Sequence, residues 1–451
     1  MIKPARLSGG IHPPSKKNTH ESPTISLNRF ATVRIPMILH NGPPSTCLVK
    51  PGETVAIGQL IGRADSPMAV PVHSSVSGKV KSAGQEVSYY GQLMTVVTIE
   101  CDGLDTVHEG IRPPAINNRD EFIQAVRDSG LVGLGGAGFP TYIKMKPPAG
   151  KEPDILVING AECEPYVTSD CRLCIEKPAE IIAGIKLTME HISIKKAVIG
   201  IEANKPEAIA ALRRELASME TPTIELKVVP TVYPQGAEKM LVYSLTGRKI
   251  PSGGLPHDVG VMVLNVNTVR SIADYLTTGM PLIRRTVTLD GGAVRQPGNY
   301  DVPVGVTIAD LVEAAGGLHD EPGKVLMGGP MMGVALDRLN ASILKINNAI
   351  LLFDKQEAWV PEESACIRCA RCVTNCPMNL MPTELDRSSR ELDVDALRAY
   401  HVMDCIECGS CTYVCPAKRF LVQSIRNGKA AVRMADGKAA AQAVKKEATQ
   451  K

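Results

Sequence analysis

The hydrophobic pattern changes character several times along the chain. Over roughly the first hundred residues, short apolar runs alternate with Gly and Pro turns. Leu48-Val-Lys-Pro-Gly-Glu-Thr-Val-Ala-Ile-Gly-Gln-Leu-Ile-Gly62 and Val72-His-Ser-Ser-Val-Ser-Gly-Lys-Val80 are the clearest cases, and such runs predict strands. Pro113-Pro114 marks a boundary. Beyond it, apolar runs at residues 154–159, 196–201 and 226–229 predict buried strands, while residues 120–128 and 206–216 read as helices. Strands alternating with helices predict a layered α/β domain. Residues 285–289 then predict a strand, Gln296-Pro-Gly298 a turn, and residues 307–315 a helix closed by Gly316 and Gly317. Residues 393–403 read as helical between two cysteine-rich segments. After Ala417 the tail carries nine Lys or Arg against two Asp or Glu. Residues 439–444 could be helical there, but a solvated, frayed terminus is the expectation.

Composition narrows the classes. Of 451 residues, 44% are hydrophobic and 22% charged, which excludes a wholly disordered or fibrous chain. The net charge of +3 is small for this length and disfavours a dedicated nucleic-acid binder. No apolar run reaches the roughly 20 residues of a membrane span. The N-terminal stretch has no apolar core of the signal-peptide kind. A cytoplasmic chain that meets a membrane only through a partner is therefore expected.

Eight of the thirteen cysteines fall between Cys366 and Cys415. Cys366, Cys369, Cys372 and Cys376 are followed by Pro377, and Cys405, Cys408, Cys411 and Cys415 by Pro416. Both runs have the C-x2-C-x2-C-x3-C-P spacing of bacterial ferredoxins, in which the fourth cysteine ligates the other cluster. Two [4Fe–4S] clusters are expected, one on Cys366, Cys369, Cys372 and Cys415, the other on Cys405, Cys408, Cys411 and Cys376. Zinc, which favours paired C-x2-4-C ligands, often with His, fits two identical quartets poorly. Cys171 and Cys174 form a separate C-x2-C pair near Cys163, read as spare thiols with a redox pair as the alternative. Cys47 and Cys101 offer no functional case.

A second constellation opens the α/β segment. Residues 130–138 hold five glycines, among them Gly133, Gly135, Gly136 and Gly138, with Ala137, and Phe139-Pro140-Thr141 follow. Glycines let backbone amides approach a phosphate or a flat ring. Alone, such a loop also fits a left-handed turn, and it does not follow a strand in the Rossmann manner. Lys144, then Asn159-Gly-Ala-Glu162-Cys-Glu164-Pro165, extend the pattern.

Together these residues closely resemble the FMN-binding region of the flavoprotein subunit of respiratory NADH dehydrogenase. The resemblance spans residues 120–280, with less specific matches at Val232-Tyr233-Pro-Gln-Gly236-Ala-Glu238 and Leu264-Asn265-Val-Asn-Thr268. It implies that Gly133, Gly135, Gly136, Ala137 and Gly138 line FMN. It places Lys144 at the flavin or its phosphate, Asn159 and Glu162 at the ribityl chain or ring edge, and Asn265 and Thr268 at the phosphate. Phe139, Glu164, Tyr233 and Glu238 would meet NADH. The chain departs from the family at Ala161, usually Asp, at Met145, usually Trp, and at Ala237, usually Glu. From the residues alone, Glu162 and Glu164 could equally cap a helix N-terminus.

Residues 1–112 resemble the biotinyl/lipoyl-like barrel-sandwich hybrid, with Pro67 where the carrier lysine would stand, so no swinging arm is expected. Residues 283–355 resemble a soluble-ligand-binding β-grasp (SLBB) domain, which could be a ligand site or a spacer. The expected order is therefore a barrel-sandwich domain (1–112), an α/β FMN/NADH domain (113–282), a β-grasp domain (283–355), a helical two-cluster ferredoxin domain (356–425) and a basic tail (426–451). This multidomain α+β and α/β organisation resembles the RnfC family, the electron-entry components of the Rnf ion-translocating NAD:ferredoxin oxidoreductases. The resemblance implies a peripheral protein on the cytoplasmic face of the membrane. It would oxidise NADH through FMN and pass single electrons through two clusters toward ferredoxin, while membrane and iron–sulfur partner subunits move Na+ or H+. No side chain need act as a classical catalytic residue. The alternatives are a soluble flavin and iron–sulfur reductase similar to cobalamin reductase, and a relay protein without its own NADH site.

Overall fold

The computed structural model describes residues 8–88, 91–218 and 223–449. The chain divides into two compact units. The smaller comprises Met1–Pro14, Thr231–Leu255 and Val360–Lys451, the larger Ser15–Pro230 and Pro256–Trp359.

The larger unit is built on three sheet systems. Its α/β part holds four parallel strands in the order Ile224–Val229, Lys196–Glu202, Ile155–Gly160, Val261–Asn265. They are rich in Ile, Val and Leu because helices cover both faces, so both sides of each strand are buried. The strand order reverses between Ile155–Gly160 and Val261–Asn265, and ligands of open α/β sheets bind beyond the strand ends at such a switch point. Asn159 and Asn265 lie there as register partners. The helix Val266–Thr278 begins directly after that strand end and packs against Pro178–Ile192 through Gly184.

The barrel-sandwich part pairs Thr32–Pro36, Leu93–Cys101, Gly78–Val87 and Thr54–Val55 in one sheet and Thr46–Cys47, Leu60–Arg63 and Val72–His73 in another. Pro67 lies between Leu60–Arg63 and Val72–His73. Its carbonyl accepts from the Tyr142 hydroxyl, and Arg127 Nη2 donates to the Ala64 carbonyl at 3.2 Å. This tip is docked on the α/β part. The β-grasp part is a six-stranded sheet in which Arg284–Asp290 pairs with Gly298–Pro303 and Ala349–Phe353, beside the helix Ile308–Ala314. An extra edge strand, Thr24–Ser26, comes from ahead of the barrel. Ile35 and Val97 of the barrel share one apolar core with Val287 and Leu311 of the β-grasp part.

Lys345 joins all three parts. Its side chain is buried, and Nζ donates to the carbonyls of Pro71 at 3.1 Å and Gly130 at 2.7 Å. Burial pushes its pKa down to about 7. The unfolded chain, with an ordinary lysine near 10.4, binds more protons than the folded one between those values, so this group makes stability rise with pH from about 7 to about 10. Lys345→Met removes the charge and the two donated bonds. At pH 10 the variant is expected to be less stable than the parent, and the gap should narrow toward pH 7. Urea unfolding at both pH values measures this, and a constant gap contradicts it.

In the smaller unit the tail is not a frayed terminus. Leu421–Thr449 is one continuous helix. Leu421, Val422, Ile425 and Val432 are buried, and Gly428 lets the helix lie close on Ser389 of Pro382–Glu391. The basic residues hid this apolar stripe because they fill the other faces. The predicted helix at 393–403 is shorter, Val394–Ala399, followed by a 3-10 turn at Val402–Asp404 after His401 adopts a left-handed conformation.

Candidate functional site: a phosphate cradle and two cysteine quartets

At the switch point the glycine loop closes on itself. Gly133 N–H donates to the Phe139 carbonyl at 2.8 Å and Gly138 N–H to the Gly133 carbonyl at 3.2 Å. Gly135, Gly136 and Ala137 between them are exposed. Their three backbone N–H groups have no acceptor among the described residues. Gly136 takes φ +102°, and a Cβ there would meet nothing within 4 Å. Three successive free N–H groups on an open loop form an anion nest, the donor set that a phosphate needs.

Behind the loop lie Asn265, Thr268 and Asp170. Asn265 Oδ1 accepts from Asn267 N–H at 2.8 Å and so caps the helix Val266–Thr278, while Nδ2 donates to Asp170 Oδ2 at 2.6 Å. Gly135 lies against the Asn265 side chain. Thr268 Oγ1 accepts from Leu134 N–H at 3.1 Å, so this hydroxyl anchors the loop. Lys144 Nζ donates to the Val263 carbonyl at 3.2 Å, and Asn159 Oδ1 accepts from Ala161 N–H at 3.0 Å. Burial, and next the nearby Glu162 carboxylate, push Asp170 up to about 6. Phe139 sits at the far end of the loop, half-buried.

The two glutamates stand elsewhere than the flavin assignment puts them. Glu162 is buried, and its carboxylate accepts from Asp170 N–H at 2.8 Å and Cys171 N–H at 3.4 Å, at the start of the helix Ser169–Glu176. The helix-cap alternative describes Glu162 as found. Its backbone carbonyl is held by Lys17 Nζ at 2.9 Å and Lys205 Nζ at 3.2 Å. Glu164 accepts from Met331 N–H at 3.0 Å and Met332 N–H at 2.9 Å, tying this loop to the β-grasp part. Cys171 and Cys174 are buried, and burial pushes both thiols up, which makes them poor nucleophiles. Cys163 is half-buried.

Tyr233 and Glu238 belong to the smaller unit. Tyr233 is buried, and its hydroxyl donates to the Cys408 carbonyl at 2.7 Å. Glu238 opens the helix Glu238–Thr246. The same segment reaches the cysteine region again through Ser252, whose hydroxyl donates to Asp404 at 2.5 Å. The stretch 231–255 is thus folded onto the second cysteine motif, a contact with no counterpart in local sequence spacing.

The two motifs have matching backbones. Arg368 and Ala370 in the first, and Glu407 and Gly409 in the second, take left-handed φ of 55°, 60°, 56° and 78°. These turns point successive thiols inward. Cys376, Cys405, Cys408 and Cys411 line one cavity whose other walls include Leu380, Leu385, Ile406 and Ile425. Cys405, Cys408 and Cys376 all act electrostatically on Cys411, whereas Cys415 and Cys366 act on Cys372. Burial pushes Cys405 up to about 11 and Cys411 higher still. Thiolates are disfavoured in such a cavity unless a cationic group fills it. Leu380 N–H donates to Cys376 Sγ and Glu407 N–H to Cys405 Sγ, both at 3.4 Å. Among the described residues no three thiol, imidazole or carboxylate groups converge as a single metal ion requires. Four thiols around a space suit a cluster better than one zinc ion. The first quartet differs in exposure: Cys366 and Cys369 are exposed, Cys408 and Cys411 buried.

Comparison with known proteins accords with this geometry. Residues 126–274 match the Nuo51 FMN-binding domain, 5–104 the RnfC barrel sandwich hybrid domain, 286–335 the SLBB domain and 358–417 the 4Fe-4S dicluster domain. The RnfC protein of the Na+-translocating ferredoxin:NAD+ oxidoreductase complex of Acetobacterium woodii is 42% identical over 95% of this chain and 97% of that protein. The chain belongs to the RnfC family of ion-translocating ferredoxin:NAD+ oxidoreductase complexes. Within this RnfC family, the corresponding member of the proton-translocating complex of Clostridium ljungdahlii is 42% identical over 94% of this chain and 93% of its own length. A longer member from Haemophilus influenzae is 40% identical over 88% of this chain and 60% of its own length. Among solved structures, an NAD+-reducing [NiFe]-hydrogenase in its air-oxidised state aligns with 69% of this chain and 64% of its own, at 21% identity and a TM-score of 0.49.

Proposed function

We propose that the chain is the component through which NADH electrons reach an ion-translocating NAD:ferredoxin oxidoreductase complex. FMN supplies the conversion of a two-electron hydride donor into single electrons, and [4Fe–4S] clusters relay them one at a time. The observation that carries the reading is the pairing, in one chain, of an open N–H nest at the sheet's switch point with two cysteine quartets.

On this reading the N–H groups of Gly135, Gly136 and Ala137 hold the flavin phosphate. Gly133 and Gly138 close the loop, and Asn265 supports it from behind, with Lys144 and Asn159 at the rim. Thr268 acts through Leu134. Glu162 holds the strand-to-helix turn in shape and need not touch the flavin. Phe139, Glu164, Tyr233 and Glu238 remain the proposed nucleotide contacts. Tyr233 has a second task, because it fastens the segment 231–255 to the backbone at Cys408.

Cys405, Cys408, Cys411 and Cys376 hold the buried cluster, and Cys366, Cys369, Cys372 and Cys415 the exposed one. Exposure of Cys366 and Cys369 makes the latter the cluster that faces a partner protein. No helix among the described residues is long and apolar enough to cross a membrane. Peripheral attachment on the cytoplasmic face, through membrane and iron–sulfur subunits, is part of the same proposal. The test is stoichiometry: the anaerobically reconstituted chain is expected to retain one FMN and about eight iron atoms. Retention of zinc in their place, or no flavin, would sink the reading.

A further inference from the structure

Arg285 lies outside both the glycine loop and the segment that matches the FMN-binding domain. It is carried by the β-grasp strand Arg284–Asp290 and is only 1% exposed. A guanidinium removed from water needs compensation. Nε donates to the Asn347 carbonyl at 2.6 Å and Nη2 to the Leu134 carbonyl at 2.6 Å, while Nη1 is buried without a partner. Asp170 is the first countercharge acting on it, and Asp170 Oδ1 is likewise buried without a partner. A buried donor and a buried acceptor therefore stand unused behind the phosphate nest.

The Leu134 bond has a geometric consequence. A trans peptide unit is planar, and its C=O and N–H point in opposite directions. The carbonyl of Leu134 is drawn back onto Arg285, so the N–H of Gly135 in the same peptide unit is aimed away from it, toward the open side of the loop. Thr268 pins the preceding unit by accepting Leu134 N–H at 3.1 Å. Leu134 is thus clamped from both sides, and the first of the three free N–H groups is fixed before any ligand arrives. Such preorganisation lowers the cost of binding.

We propose that Arg285 is a positioning residue for the flavin phosphate, contributed by the β-grasp domain: it sets the Leu134–Gly135 peptide so that the loop presents its N–H groups to a dianion, and its uncompensated charge adds to the attraction. The proposal rests on the FMN reading of this site. It also gives the β-grasp domain a task in cofactor selection rather than that of a spacer.

The test compares FMN with riboflavin, which lacks the phosphate, by flavin-fluorescence titration of the full chain after flavin removal. Arg285→Met abolishes both fork and charge, and Arg285→Lys keeps the charge but cannot bridge Asn347 and Leu134 together. Thr268→Val releases the other side of the clamp without unpairing a buried charge, which keeps the test decisive if the Arg285 variants fold poorly. The expected result is a loss of FMN affinity of about tenfold to a hundredfold in Arg285→Met. Arg285→Lys should lose less and Thr268→Val a comparable amount, with riboflavin affinity nearly unchanged in all three. Equal losses for FMN and riboflavin, or no loss in folded variants, overturn the positioning role. A parent chain that binds neither flavin overturns the FMN reading itself, and is distinguished by the parent titration alone.

Discussion

Cys411→Ala is expected to remove the buried cluster and stop electron passage from the flavin to external acceptors, while leaving flavin reduction in place. Cys411 is the thiol on which Cys405, Cys408 and Cys376 all act, in a cavity with apolar walls. Alanine leaves three thiols around a space that needs four, in a cavity that raises their cost as thiolates. Iron should fall by about half, to roughly four atoms per chain. Visible absorbance and EPR should lose one of two cluster signals, and NADH should still bleach the flavin. Cys174→Ala is the control. That thiol is buried in the larger unit beside Cys171, so its loss should leave iron content unchanged. Equal iron loss in both variants would contradict the assignment.

Gly184→Ala is expected to have the largest effect on stability. The helix Pro178–Ile192 lies so close to Val266–Thr278 at this point that an alanine methyl would overlap the Val269 carbonyl oxygen. The neighbour is backbone and cannot rotate away, so the helices must part. Overpacking of this kind costs about 3 kcal/mol, occasionally more. The second helix begins with Asn265 as its cap and carries Thr268, so the shift also reaches the phosphate nest, and FMN affinity should fall with stability. Gly437→Ala is the contrast. It lies in the helix Leu421–Thr449 with open space around it, so alanine should be neutral or stabilising by up to about 1 kcal/mol. Urea unfolding separates the two. A Gly184→Ala chain as stable as its parent would mean that the helices are not packed this closely.

Much of this arrangement was legible because its chemistry is written in short spacings. The C-x2-C-x2-C-x3-C-P runs place thiols that a tight loop can turn inward, and the structure repeats the same left-handed turns in both. The apolar runs at 154–159, 196–201 and 226–229 became strands because covered parallel strands leave no polar face to obscure them. Other features depend on contacts between distant segments. Glu162 looked like a flavin ligand by its place in a motif, yet its partners are the amides of Asp170 and Cys171. Tyr233 reaches Cys408 across 175 positions, and Arg285 reaches Leu134 across 151. No local pattern encodes either bond. The last helix was missed because Lys and Arg masked a stripe as narrow as Leu421, Val422, Ile425 and Val432.

The central claim is that one chain takes electrons from NADH and relays them through its own clusters. The most direct measurement is an anaerobic NADH titration of the chain loaded with FMN, iron and sulfide, followed by visible absorbance and EPR. The account predicts that NADH bleaches the flavin first and that cluster signals then rise. A chain that holds FMN and both clusters, yet leaves all of them oxidised when NADH is added, would contradict it and make the protein a relay fed by another donor.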